Sequence, residues 1–153
     1  MPVTQEKKSN KRRSQNRILN KRAELELAKL EYQRVLKAES RTLTQTEIAS
    51  AVRVSQPTIS EALKVAVKVD EPREGFSSGS LYEMFLRYTA KKLTKARLID
   101  ELSKWDYDKP CLADSLDGLL VDKSNTFREV EDALIKGLIG ADVYDAVLSN
   151  LGK

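Results

Sequence analysis

The side chains best suited to recognition chemistry crowd into the stretch from Gln45 to Lys64, QTEIASAVRVSQPTISEALK. Gln56 carries an amide that can donate and accept in the pattern that adenine N6 and N7 present in the major groove. Ser60 can do either, and Lys64 is long enough for a guanine edge or a phosphate. Glu61 can accept from cytosine N4, although it repels phosphate. Thr58 would stand at a helix start, where a hydroxyl and backbone N–H groups can meet a phosphate. Bond-making chemistry has far less to work with. The chain has no His, which removes Ser-His-Asp and Cys-His catalysis and His-ligated zinc together. Its single Cys, Cys111, stands in CLADS with no CxxC or nucleophile-elbow pattern. Asp106, Asp108, Asp114, Asp117 and Asp122 lack the spacing and central Gly of a calcium loop, so they read as a solvated acidic loop. No phosphate-loop motif occurs. The expectation is a protein that is no enzyme and needs neither cofactor nor metal.

Two short helices must position the recognition set. Thr44 and Glu47 have the capping-box form that opens the first. A connection of about four residues, Val52 to Ser55, leads to the second. Ile48 and Ala49 face inward, and Ala49 is small enough for a steep, close crossing. Val52 and Val54 are expected to plug the corner. Ser55 is a good N-cap, and Pro57 falls in the first turn, where its missing N–H does no harm. Ile59, Ala62 and Leu63 return to the core. Gln56, Pro57, Ser60, Glu61 and Lys64 are left pointing outward.

QTEIASAVRVSQPTISEAL resembles the helix-turn-helix DNA-binding domains of bacterial and phage transcription regulators: a TxxEIA-type first helix, a short turn, then SQPTIS opening a recognition helix. The resemblance covers roughly residues 42–66. It implies that the second helix lies in the major groove and that its first residues contact bases. Carried over by position, Ser55, Gln56, Pro57, Thr58, Ser60, Glu61 and Lys64 face DNA, with Thr44, Gln45 and Arg53 beside them. Two positions depart from the pattern. Arg53 stands where Gly is usual in the turn, and Glu61 stands where a basic residue is common.

Charge distribution supports a polyanionic partner. The formal net charge is only +4, yet residues 1–22 hold Lys7, Lys8, Lys11, Arg12, Arg13, Arg17, Lys21 and Arg22 against Glu6, a balance of +7. Residues 71–153 carry 12 basic and 15 acidic residues. Lysines and arginines that neutralise phosphates release counterions, adding affinity without sequence information. Lys11, Arg12, Arg13 and Arg17 are therefore expected phosphate or minor-groove contacts. Residues 1–13 read as a disordered basic arm. From Ser14 to Glu39, Ile18, Leu25, Ala28, Tyr32, Val35 and Leu36 recur at helical spacing and predict one long amphipathic helix.

Residues 70–79 are rich in Gly, Ser and Pro and read as a linker. Beyond it, Ser80, Thr94 and Thr126 are predicted helix caps, Gly137 is a helix stop, and residues 106–124 are loop. The expected fold is all-α: a helix-turn-helix bundle over 14–69, then a small C-terminal helical bundle over 80–153 for oligomerisation or a partner. Hydrophobic residues at 41% and charged residues at 33% suit such a chain. No apolar run approaches the roughly 20 residues of a membrane span, and no secretory signal is visible. The function expected is a cytoplasmic, bacterial or phage-encoded regulator of transcription. It would be a repressor by default, binding double-stranded DNA as a homodimer. The alternative is an antitoxin-like or plasmid or phage maintenance protein, whose bundle at 80–153 holds a protein partner.

Overall fold

A computed structural model of the chain describes residues 2–109 and 125–152. Among the described residues there are seven α-helices and no strand, only an isolated bridge between Asp108 and Thr126. The protein is all-α. It divides into two compact units, Met1–Arg73 and Glu74–Lys153.

The first unit contains α1 (Pro2–Glu39), α2 (Gln45–Val52) and α3 (Gln56–Ala66). α1 corrects the expectation of a disordered arm over residues 1–13, because the helix runs unbroken from Pro2. Those residues are rich in Lys and Arg, which favour helix, and they extend a helix already nucleated by residues 14–39. Proline at the start costs no hydrogen bond. At 1.5 Å per residue, α1 is about 57 Å long.

Its packing face also differs from the expected one. Ala23, Leu27 and Leu36 are buried, whereas Ile18, Leu25, Ala28, Tyr32 and Val35 are exposed. Two apolar stripes share this helix; α3 packs on α1, and Leu36 joins the cluster that holds Ile59 of α3. The chain beyond α3 is held against α1 as well. Arg34 donates two hydrogen bonds to the Asp70 carbonyl (3.1 and 2.6 Å), and Lys37 donates to the Val69 carbonyl (2.8 Å). A small core of Leu36, Ile48, Ala49 and Ile59, with Ala62 and Leu63 against it, joins the three helices.

The second unit contains α4 (Leu81–Thr89), α5 (Lys95–Lys104), α6 (Arg128–Ile135) and α7 (Ala141–Asn150). Met84, Leu98, Leu102, Val130 and Val147 are fully buried at its centre. Phe76 stacks edge-on against Trp105, and the Trp105 indole N–H donates to Asn125 Oδ1 at 2.8 Å. The linker expected at 70–79 is corrected by these contacts. Residues 74–79 belong to this unit: Ser78 is fully buried, and the Ser77 amide and hydroxyl both donate to the Glu101 carboxylate. Low Gly/Ser hydropathy concealed a segment anchored by polar contacts rather than by apolar side chains.

Ser80 and Thr94 cap α4 and α5 as expected, and Gly137 follows α6 at φ +74°. Thr126 does not cap α6. The N-cap there is Phe127, without a side-chain cap bond, and Glu129 reaches back to accept from the Asn125 amide instead. Cys111, Asp114, Asp117 and Asp122 lie outside the described residues. Among the described helices none is long and apolar enough to cross a membrane.

Candidate nucleic-acid interface

α2 begins at a complete capping box. The Thr44 hydroxyl accepts from the Glu47 amide at 3.2 Å, and Glu47 Oε2 accepts from the Thr44 amide at 2.7 Å and from its hydroxyl at 3.0 Å. These bonds hold the Glu47 carboxyl below its ordinary 4.5, chiefly through the Thr44 amide and then its hydroxyl. Thr44, a predicted contact, thus has its hydroxyl already committed to folding.

The helix stops at Arg53, whose backbone is left-handed (φ 63°, ψ 45°). Its amide donates to the Ser50 carbonyl, and the Val54 amide donates to the Ala49 carbonyl, closing the turn. A side chain thus occupies a conformation that glycine adopts without strain. Val52 and Val54 do not plug the corner as expected. They are 46% and 40% exposed, because Ala49 and Ile59 already fill the crossing.

Ser55 caps α3: its hydroxyl accepts from the Thr58 amide at 3.4 Å and pairs with the Thr58 hydroxyl at 2.7 Å. Pro57 sits in the first turn and Ile59 is fully buried. Gln56, Pro57, Thr58, Glu61 and Lys64 are exposed, while Ser60 is only half exposed. Gln56 Nε2 donates to Gln45 Oε1 at 2.5 Å, so the starts of α2 and α3 are joined by two side-chain amides. Lys64 is paired with Glu61 at 2.7 Å, both still open to solvent. Glu61 therefore offsets the one cation on the outward face of α3.

Lys11, Arg12, Arg13 and Arg17 lie elsewhere in the unit. They are exposed on α1, and no ion pair among the described residues engages them. Arg17 precedes Ala23, the first buried residue of α1, by about 9 Å of helix rise, and Lys11 precedes it by about 18 Å. The structure thus brings Gln45, Ser55, Gln56, Pro57 and Thr58 to one patch and leaves the basic stretch on a projecting helix.

Sequence reasoning missed the coupling of Gln45 to Gln56 and the anchoring of residues 69–71 by Arg34 and Lys37. Glu71 takes part in the anchor, pairing with Lys37 at 3.2 Å. These links span 11 and more than 30 residues, beyond any local spacing signal. Elsewhere, Tyr107 donates its hydroxyl to the Leu102 carbonyl at 2.6 Å, and burial first, then Glu129, holds its ionisation far above the ordinary range. It is a locked structural group.

No protein-family model, no curated protein and no solved structure matches this chain.

Proposed function

We propose that the chain is a sequence-specific double-stranded DNA-binding protein of helix-turn-helix type, with α3 as its recognition helix. The observation that carries this reading is the Gln45–Gln56 pair at the capped start of α3. Two amides held to each other fix the rotamer of Gln56, so that a base edge meets a prepositioned donor and acceptor. Pro57 has no N–H and the Thr58 amide is held by the Ser55 cap, so a phosphate at this helix start meets the positive end of the dipole rather than free amides of these two residues. The +7 stretch of residues 1–22 supplies sequence-independent attraction. No catalytic group, cofactor or metal enters this reading. Regulation of transcription follows by occupancy: a small protein bound at a promoter excludes other proteins, which makes repression the default and the bacterial or phage cytoplasm its setting.

Selection from a randomised duplex library, followed by titration at two salt concentrations against a scrambled duplex, tests the reading. A single enriched motif is expected. Gln56→Ala should lose about 1–3 kcal/mol on that motif and almost nothing on scrambled DNA. Failure to enrich any sequence, or equal loss on both duplexes, overturns base reading by Gln56.

A further inference from the structure

α1 presents a second apolar stripe that the packing of the unit leaves exposed. Ile18, Leu25 and Tyr32 are seven residues apart, Ala28 and Val35 are seven apart, and from Leu25 onward the steps alternate three and four. That is the a/d repeat of a two-stranded coiled coil, with Lys21 in the remaining d place. Ile18 is 70% exposed, Val35 60%, Leu25 51% and Tyr32 46%. The buried Ala23 and Leu27 stand outside this seam, while Leu36, at e, flanks its C-terminal end and is buried against Ile48, Ala49 and Ile59. The seam spans about 26 Å of helix.

We propose that a second copy of this chain seats on the seam in parallel, a residue against its own equivalent. The flanking charges choose the orientation. In a parallel pair, Glu24 at g of one copy faces Lys29 at e of the other, and symmetry makes this contact twice. An antiparallel pair would set Arg22 against Lys29 and Glu24 against a glutamate. The parallel pair also aligns the two +7 stretches, with Arg17 near Arg22 of the second copy. An apolar seam opposed by like charges tightens as salt rises, because screening removes the repulsion while burial remains. The proposal goes beyond DNA recognition and does not depend on it.

Sedimentation equilibrium of the full chain without nucleic acid, through the micromolar range and at low and high salt, reads the association directly. Dimer mass favoured by salt is expected. A monomer throughout overturns the proposal, as does a dimer that salt dissociates. Leu25→Glu with Val35→Glu should give a monomer whose unfolding midpoint at low concentration is unchanged, since neither side chain is part of the core. Ile135→Glu, at an exposed apolar residue of the second unit, should leave the dimer intact, and the reverse pattern places the interface elsewhere. In a Cys111→Ser background, Val35→Cys should form an interchain disulfide much faster than the exposed Tyr82→Cys. Equal rates in a dimeric sample overturn the parallel arrangement, because an antiparallel pair holds the two residues 35 more than 20 Å apart.

Discussion

The two units treat their apolar surface in opposite ways. The described residues of the second unit bury most of it: Leu81, Met84, Leu98, Leu102, Trp105, Val130, Val143 and Val147 are buried, with Phe76, Tyr107 and Phe127 packed against them, and Tyr82 and Ile135 stand exposed singly. Even the buried charges there are satisfied. Glu101 accepts from Ser77 and Arg97, and Glu83 accepts from the Gly79 amide and Arg87. The α1–α3 unit instead gathers Leu36, Ile48, Ala49 and Ile59 into a small core and leaves Ile18, Leu25, Tyr32 and Val35 open. This apolar row follows Lys11, Arg12, Arg13 and Arg17 along α1 and adds nothing to the small core, and exposed apolar surface of this kind marks contact sites. The comparison separates a unit built around one large core from a unit that leaves an apolar row on α1 exposed.

Trp105→Ala attacks the closed unit where it is most committed. It removes a large ring from the core, its edge contact with Phe76 and its bond to Asn125. The loss should be about 3–5 kcal/mol, read by denaturant unfolding. Phe76 and Trp105 both belong to residues 74–153, so the helical signal of α1–α3 should survive while the aromatic near-ultraviolet signal melts early. A single transition that takes both signals down together would break the comparison.

How much of this was legible in the sequence follows from the range of each interaction. The helices around Thr44, Ser55, Ser80 and Thr94 could be read because a cap and its acceptor lie three residues apart. The start of α3 was legible for the same reason, as Ser55, Pro57 and Ile59 each have one position consistent with a capped helix. The face of α1 was not, since Ala23–Leu27 and Leu25–Ala28–Tyr32 are equally good helical stripes. Only the three-dimensional placement of α3 decides between them. Nor was the role of residues 74–79, where Ser77 finds Glu101 across 24 positions. The helical state of residues 4–13 comes from the helix they extend and not from any periodicity of their own.

Thr44→Ala sharpens the comparison inside the open unit. Loss of the cap should cost about 1 kcal/mol, a noticeable share of a unit with so small a core. Glu47 adds a pH signature. Its folded pKa lies below its ordinary 4.5, so its contribution is present above that pH and fades as pH falls through the folded value. Glu47→Gln should flatten the acid limb of the α1–α3 unfolding curve and leave the limb of the second unit where it was. A matching shift in both limbs would mean that the two units do not unfold independently.

Arg53→Gly gives the smallest effect and separates folding from binding. The left-handed backbone at residue 53 opposes a Cβ, while glycine adds freedom to the unfolded chain, so the net gain should be only about 0.5 kcal/mol. The same substitution removes an exposed cation close to the patch around Gln56. If Arg53 contacts a phosphate, the variant binds more weakly on every duplex, and its salt slope falls by about one. A more stable protein with weaker, less salt-sensitive binding is therefore expected, from thermal unfolding and titration on the same sample. Greater stability with unchanged binding would confine Arg53 to the turn and leave the electrostatic attraction to Lys11, Arg12, Arg13 and Arg17 on α1.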